Sequence, residues 1–505
     1  MRDEGAAMTA GPGVRERGAV LLGRAAAEVV RRLQRGGGTA LPGLLAGLLA
    51  PRLIESFAGQ LGHGAVTVTG TNGKTTTAHL IAAAVRTAGL HPLANSSGSN
   101  LERGIASMFV EAATAGGALP DAADRLGVLE LDEAVWPALL PRLRPDVAVF
   151  LNLFRDQLDR YGEVDSVAEG WRRALAAYRL PLTLALNVDD PSVAQIADGT
   201  ADRVIGFGID DPSAALARAE HAADARACLC GGAFRYDAVF MGHLGLWACS
   251  RCDRVRPTPQ VTARNVRLGA DETRFTLCVS PSVDATFAPS EGAGATPSDA
   301  PSGEQCIELT IPLAGLYSVY NALAAVAGAL ALGIPLDATV RALTDAGPAF
   351  GRQEQFDIDG RTVRLLLAKN PTGLNEVFRV LTAAPRPLVL LALLNDGIQD
   401  GQDVSWIYDA DMEQLAGSGC TLIVSGDRAD DLALRFMLAG VVPTQVERSA
   451  ARALDVALAA TPSGGRLEVV ATYTAMLAVR ADLARRTGAQ QYWEQSQPVD
   501  ATVSR

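Results

Sequence analysis

Long apolar runs are missing from this 505-residue chain. The most apolar stretch near the N-terminus, "LPGLLAGLLAP", is short and broken by proline and glycine, well under the roughly 20 residues a membrane-spanning helix needs. No transmembrane segment is expected. The opening "MRDEGAAMTAGPGVRERGA" also lacks the apolar centre of a secretory signal, so the expected compartment is the cytoplasm. Positive charge is short as well. A net charge of -11 excludes a broad non-specific grip on nucleic acid, which needs clustered lysine and arginine, although "RRLQRGG" and "RCDRVRP" are small basic patches. Cysteines number only seven, an odd count in a large chain without an export signal, which argues against a disulfide framework. Cys278, Cys306 and Cys420 are scattered and read as buried small apolar residues. The five histidines lie in no nucleophile motif, so the chain carries no self-contained glutaminase pair.

What is present is the alternation of an α/β protein. Residues 1–18 read as a disordered tail and 19–55 as a helical segment packing on the central domain. From residue 56, strand-like runs ("AVTVTG", "LGVLEL", "PDVAVFLNL", "LTLALNVDD") alternate with alanine-rich helical ones, the pattern of a parallel sheet flanked by helices. This first unit extends over 56–345. It is interrupted at 224–256 by a cysteine cluster and at 281–304 by a small-residue, Pro/Gly-rich stretch expected to be a disordered insertion. Beyond a boundary near "AGPAFGRQEQF", the runs "VRLLLAK", "PLVLLALL", "CTLIVSG" and "RLEVVAT" predict a second, Rossmann-like α/β unit over 350–490.

The sharpest motif is "VTVTGTNGKTTTAHLIAAAV", a strand, a glycine turn and a helix. Gly70 and Gly73 let the backbone turn its N–H groups, with those of Thr71, Asn72 and Thr76, toward phosphate oxygens. Lys74 can neutralise the β- and γ-phosphates, and the Thr75 hydroxyl can reach Mg²⁺. Val68 stands where the longer form of this loop has glycine, so the loop is a short variant. A second strand ends in acids at "LELDE"; Glu130, then Asp132 or Glu133, could hold the same ion.

Four cysteines share one window. Cys249 and Cys252 have the spacing of a zinc-ribbon half, while Cys228 and Cys230 are one residue closer than usual, with Gly231-Gly232 supplying a flexible turn. Four thiolates leave no open coordination position, so a bound Zn²⁺ would be structural. His243 could substitute as a ligand in this scheme, although a lone histidine on an irregular stretch is more often a surface or packing residue.

"TGTNGKTTT", "LEL", "NLFRDQLDRYG", "LNVDDP", "GLYSVYNALAA" and "GRQEQF", in that order, resemble the Mur ligase family of ATP-dependent enzymes that activate a carboxylate as an acyl phosphate. The resemblance implies a Mur-ligase-like central P-loop ATPase domain carrying an inserted zinc ribbon, with Asn321 at adenine and Arg352 at phosphate. The departures are specific. Asp156-Gln157 replaces the family's Asp-His, and "VAEGWRRALAAY" has no counterpart of the carbamylated lysine. In "LLAKNP", Leu366 and Lys369 stand where peptide-forming members have aspartate and histidine. With the cysteines and the stretches "LAKNPTGLNEV" and "LLNDGIQDGQDVSWIYDADMEQL", these departures resemble the MurT-type branch, the ligase side of lipid II isoglutaminyl synthase. That resemblance implies ATP- and Mg²⁺-dependent amidation of the D-glutamate α-carboxylate in the lipid II stem peptide at the inner face of the cell membrane, with ammonia from a separate GatD-type class I glutaminase.

The acidic stretch around Trp406 and Tyr408 reads by itself as a solvated loop. Under the resemblance it becomes the glutaminase-docking surface, with one aspartate orienting the partner's histidine. Asp403 is the first choice, then Asp400 and Asp409; their spacing does not choose among them. Two rival readings are a self-sufficient Mur or folylpolyglutamate-type ligase, disfavoured by the missing lysine and histidine, and a non-catalytic zinc-ribbon ATP-binding scaffold, disfavoured by Lys74, Thr75 and Glu130.

Overall fold

The computed structural model describes residues 13–32, 40–95, 99–155, 164–198, 203–217, 224–225, 227–284, 303–349 and 351–489. Asp156-Gln157 lies outside them. Eleven strands belong to the first unit: β1 (Ala65–Thr69), β2 (His91–Ala94), β3 (Arg125–Glu130), β4 (Val147–Phe150), β5 (Thr183–Asn187), β6 (Arg203–Ile209), β7 (Phe234–Met241), β8 (Leu244–Cys249), β9 (Val261–Leu268), β10 (Thr273–Val279) and β11 (Gln305–Ile311). Nine of them form one sheet in the order β11-β10-β9-β6-β5-β4-β1-β3-β2. It is parallel from β2 through β9 and antiparallel across β9-β10-β11. β7 and β8 stand apart as a hairpin.

Alternate residues of each central strand feed opposite faces. Val66, Val68, Val147 and Val149 pack with the helices Lys74–Thr87 and Leu316–Ala331. Ala65, Leu129, Ala148 and Phe150 pack on the other side with Trp136–Leu143 and Val164–Ala177. Phe150 there sits edge-on between Trp136 and Trp171, both centroids 4.8 Å away. Burial on both faces explains why these strands read as unbroken apolar runs.

The second unit is a six-stranded sheet, β12-β13-β17-β14-β15-β16, from β12 (Gln355–Ile358), β13 (Arg361–Leu367), β14 (Val389–Leu393), β15 (Thr421–Ser425), β16 (Gln445–Val446) and β17 (Arg466–Ala471). Only β12 runs antiparallel to its neighbour. Helices Pro371–Thr382 and Ala429–Leu438 cover one face, Ala450–Ala460 and Tyr473–Thr487 the other. The unit docks on the first through the β9–β10 turn. Buried Arg364, paired with Glu468 at 2.7 Å, also meets the Ala270 carbonyl, and Arg466 grips Asp271 at 2.6 Å.

Several expectations change. The N-terminal helix starts at Val14, inside the stretch read as tail. Pro281–Asp284 forms a helical turn whose Val283 is buried, so only 285–302 of the expected insertion falls outside the described residues. Cys278 and Cys306 are not isolated apolar residues: they face each other directly across β10 and β11 and form a disulfide, with Cys306 exposed. Cys420 is half-buried.

Candidate active site at the phosphate loop

β1 delivers the chain into Gly70 and Gly73, both at positive φ (135° and 92°), and the helix Lys74–Thr87 starts at once. A side chain is excluded at either glycine. A Cβ at Gly70 would lie 2.9 Å from the Asn152 carbonyl oxygen, and one at Gly73 would lie 2.2 Å from Asn321 Oδ1. The "NLF" segment after β4 fixes the loop. Asn72 N–H donates to Asn152 Oδ1 at 2.8 Å, and the Thr71 hydroxyl both donates to the Phe154 carbonyl and accepts from the Phe154 N–H, each at 3.0 Å. The loop leading into the helix N-terminus is thereby held in place, as an anion site there would require.

Lys74 is buried. Its ammonium donates to the Gly70 carbonyl at 2.5 Å and to Glu133 Oε2 at 2.9 Å. Burial pushes the Glu133 carboxyl up, but the Lys74 and Lys369 ammonium groups outweigh burial and hold it below the usual carboxylate range. Lys369, in the second unit, acts on this carboxylate through its charge. Its neighbour Asn370 exchanges two hydrogen bonds with the Asn72 side chain, at 3.0 and 3.3 Å, while capping its own helix through the Gly373 N–H at 2.8 Å. Among the chain's 45 lysines and arginines only two are lysines, Lys74 and Lys369, and both act on Glu133. An ammonium is a compact charge that an arginine fork does not reproduce.

The other expected residues surround this centre. Thr75 is half-buried and Thr76 buried in the first helical turn. Glu130 is buried at the end of β3, with its backbone held at both N–H and carbonyl by Asn95. Asn321 rests against Gly73 and accepts from the Thr77 hydroxyl at 3.4 Å. Arg352 is half-buried at the boundary between units. Next to it Gln353, at φ 61°, clamps both backbone groups of Ala314 at 2.8 Å and so ties that boundary to the start of helix Leu316–Ala331. The structure sets Glu133, ranked behind Glu130 on sequence, against Lys74. It also adds Asn370 and Gln353, for which the sequence offered no signal beyond their place in the two boundary motifs.

The three aspartates expected to serve a partner separate clearly. Asp400 is buried and accepts from the Thr474 N–H at 2.8 Å and from its hydroxyl; burial raises its carboxyl above the usual range. Asp409 is paired with Arg155 at 3.3 Å. Asp403 is exposed, and hydrogen bonds from Ser405 hold its carboxyl low. In the cysteine cluster the four Sγ atoms lie within 4.8 Å of one another. A tetrahedral zinc thiolate needs separations of about 3.8 Å, and the Cys228–Cys252 pair is at 3.8 Å. Cys249 Sγ accepts N–H bonds from Arg251 and Cys252, at 3.3 and 3.4 Å, and its thiol is pulled down to about 6, the Arg251 N–H being the largest cause. The short Cys228–Cys230 half closes a turn, Gly231 N–H to the Cys228 carbonyl at 2.7 Å, so its missing residue does not remove it from the cluster. His243 faces Asp190 at 3.3 Å and is not part of the four-cysteine group.

Residues 68–230 match the Mur ligase middle domain and residues 367–476 the MurT ligase C-terminal region. The subunit MurT of the glutamine-hydrolysing lipid II isoglutaminyl synthase of Streptococcus pneumoniae is 30% identical over 92% of this chain and 96% of its own length. The chain belongs to the MurT family. The Staphylococcus aureus MurT is 28% identical over 81% of this chain and 85% of its own. The Mur-ligase fold is shared with two solved structures. A MurF from Acinetobacter baumannii has TM-score 0.59 and 19% identity, covering 88% and 80% of the two chains. The pseudomurein peptide ligase type C of Methanothermus fervidus has TM-score 0.58 and 20% identity, covering 84% and 78%. The MurT match spans both α/β units, the hairpin within the first included, so it covers the phosphate loop, the cysteine cluster and the acidic loop together.

Proposed function

We propose that this chain is the ATP-dependent synthase subunit of a lipid II isoglutaminyl synthase, acting in the cytoplasm at the inner face of the membrane. It phosphorylates the α-carboxylate of D-glutamate in the stem peptide. Ammonia from a GatD-type class I glutaminase then attacks the acyl carbon and phosphate leaves, giving D-isoglutamine. The observation that carries the reading is the buried Lys74–Glu133 pair at the loop, with the charge of Lys369, from the second unit, also acting on Glu133.

In this reading the amides of residues 70–76 bind the β- and γ-phosphates at the helix N-terminus, and Asn321 and Arg352 orient the nucleotide. Lys74 leaves Glu133 for the phosphate oxygens, and its charge offsets the negative charge that spreads over them in transfer. The Lys369 charge, which already acts on the Glu133 carboxylate, favours approach of one anion to another. Thr75 and Glu130 would hold Mg²⁺, which screens the phosphates when bound. Cys228, Cys230, Cys249 and Cys252 would hold a structural Zn²⁺. An incoming ammonia needs no pocket for an amino-acid carboxylate, consistent with Leu366 and Lys369 in place of the aspartate and histidine of peptide-forming ligases. Asp403 is the aspartate lent to the partner's histidine. Its exposure supports that choice over Asp400, which is consumed internally, and Asp409, which is paired with Arg155.

Co-expression with a class I glutaminase, with mass spectrometry of the resulting lipid II, tests the reading. The expected product carries NH2 in place of OH on the α-carboxyl, and Lys74→Ala abolishes it. Asp403→Asn should suppress glutamine-dependent turnover while sparing turnover with added ammonia. Amidation from glutamine by the isolated chain would refute the two-subunit assignment.

A further inference from the structure

The helix Val14–Arg32 is apolar on two opposite sides. Its inner side, Ala19, Val20, Gly23 and Ala27, is buried on the first unit. Gly23 approaches so closely that a Cβ there would meet Val110 Cγ1 at 2.7 Å, and Arg24 pins the helix by donating to the Ala113 carbonyl at 2.8 Å. At 100° per residue, Val14, Leu21, Leu22 and Val29 fall on the opposite side, with Gly18 and Ala25 between them. All four large residues are exposed, Val14 to 88%. The second helix, Leu41–Leu49, continues the strip. Leu49 Cδ2 lies 3.5 Å from where Gly18 would carry a Cβ, and the adjacent Leu48 is 73% exposed. Single exposed leucines are ordinary on a protein surface. A continuous strip over two packed helices, anchored by a different face, is not.

The charge around the strip points to its occupant. Among the described side chains the helix carries Arg15, Arg17 and Arg24 against Glu16 and Glu28, in a chain whose net charge is -11. By the same helical geometry Arg15 lies on one flank of the strip and Arg17 on the other, beside Glu28, while Arg24 lies further round toward the Ala113 carbonyl. An apolar strip flanked by arginines is the pattern of a helix lying in a bilayer interface, leucines among the acyl chains and guanidinium groups at anionic headgroups. No helix among the described residues is long and apolar enough to cross a membrane. We propose that the face formed by Val14, Leu21, Leu22, Val29, Leu48 and Leu49 docks the enzyme on an anionic phospholipid surface. This rests on the lipid-linked substrate of the proposed function, because it places the chain where such a substrate is embedded.

Co-sedimentation of the full chain with vesicles of phosphatidylcholine and phosphatidylglycerol, and with phosphatidylcholine alone, tests the surface. Binding to the anionic vesicles is expected, weakened at least tenfold by Leu21→Asp with Leu48→Asp and weakened by high salt. Leu21→Ser with Leu48→Ser, at unchanged thermal midpoint, guards against a folding defect. Amidation is read in parallel with the glutaminase present, on a water-soluble stem peptide and on vesicle-embedded substrate. The variants should keep full activity on the first and lose it on the second. Anionic vesicles ignored by the wild-type chain would overturn the proposal. So would binding equal in wild type and variants, or a strip that instead forms a dimer or is covered by the glutaminase. Vesicle binding intact with no amidation of either substrate would leave the surface standing and remove the proposed reaction.

Discussion

The contact between Asn72 and Asn370 makes a quantitative prediction, because it is the direct side-chain tie between the phosphate loop and the second α/β unit. Asn370 does two jobs: it caps the helix Pro371–Thr382 and exchanges two hydrogen bonds with Asn72. Losing the cap costs about 0.5–2 kcal/mol, and each neutral hydrogen bond about 0.5–1.5 kcal/mol. Asn370→Ala should therefore destabilise the chain by about 1.5–5 kcal/mol. Asn72→Ala, which leaves the cap intact, should cost only about 1–3 kcal/mol. Asn370→Asp keeps an oxygen for the Gly373 N–H but sets two oxygens against Asn72 Oδ1, and should lie between the two. The double variant isolates the pair, and a coupling of about 1–2 kcal/mol is expected from urea unfolding. The same coupling should appear in kcat/KM for amidation, where each 1.4 kcal/mol is about tenfold. Single-variant effects that add to within about 0.5 kcal/mol would show that the tie carries nothing and refute the reasoning.

Lys369→Ala removes one of the two cations that hold the Glu133 carboxyl down. The Glu133 pKa rises, so the acid limb of the amidation pH profile should move to higher pH; an unmoved limb would separate Lys369 from Glu133. Asp400, whose carboxyl is raised by burial, keeps its proton to higher pH in the native chain than when unfolded. Its contribution is complete below the unfolded value of about 3.9 and is lost as pH rises through the folded one. Asp400→Asn should accordingly be more stable than wild type near neutral pH, with the difference vanishing in acid, as read by thermal midpoints across pH. Metal analysis of the purified chain should give one zinc per chain, and a chelator should lower the thermal midpoint. Cys249→Ser should lose the metal while retaining nucleotide binding.

Much of this protein was legible along the chain, for reasons that are local. A phosphate loop needs glycines where the backbone turns and one lysine just inside a helix; "GTNGKTT" states that requirement in seven residues, and Gly70 and Gly73 stand where any side chain would collide. Buried parallel strands need unbroken apolar runs, so β1, β3, β4 and β5 were visible by composition. The Cys249–Cys252 pair of the cysteine cluster was visible by spacing. The Gly231-Gly232 turn beside the short Cys228–Cys230 half was legible too; that this half meets the other two sulfurs came from the structure.

The decisions left to tertiary structure are those in which distant segments meet. Glu133 and Lys369 come together only because the second unit docks on the first, and no spacing rule connects them. Asp400, Asp403 and Asp409 share one loop and one residue type; burial and the Thr474 and Arg155 contacts tell them apart. Cys278 and Cys306 become partners through the register of β10 against β11. Residue chemistry and local backbone demands are written in order along the chain. Charge environment and pairing depend on which surfaces face each other, and the packing of the two sheets and their helices decides that.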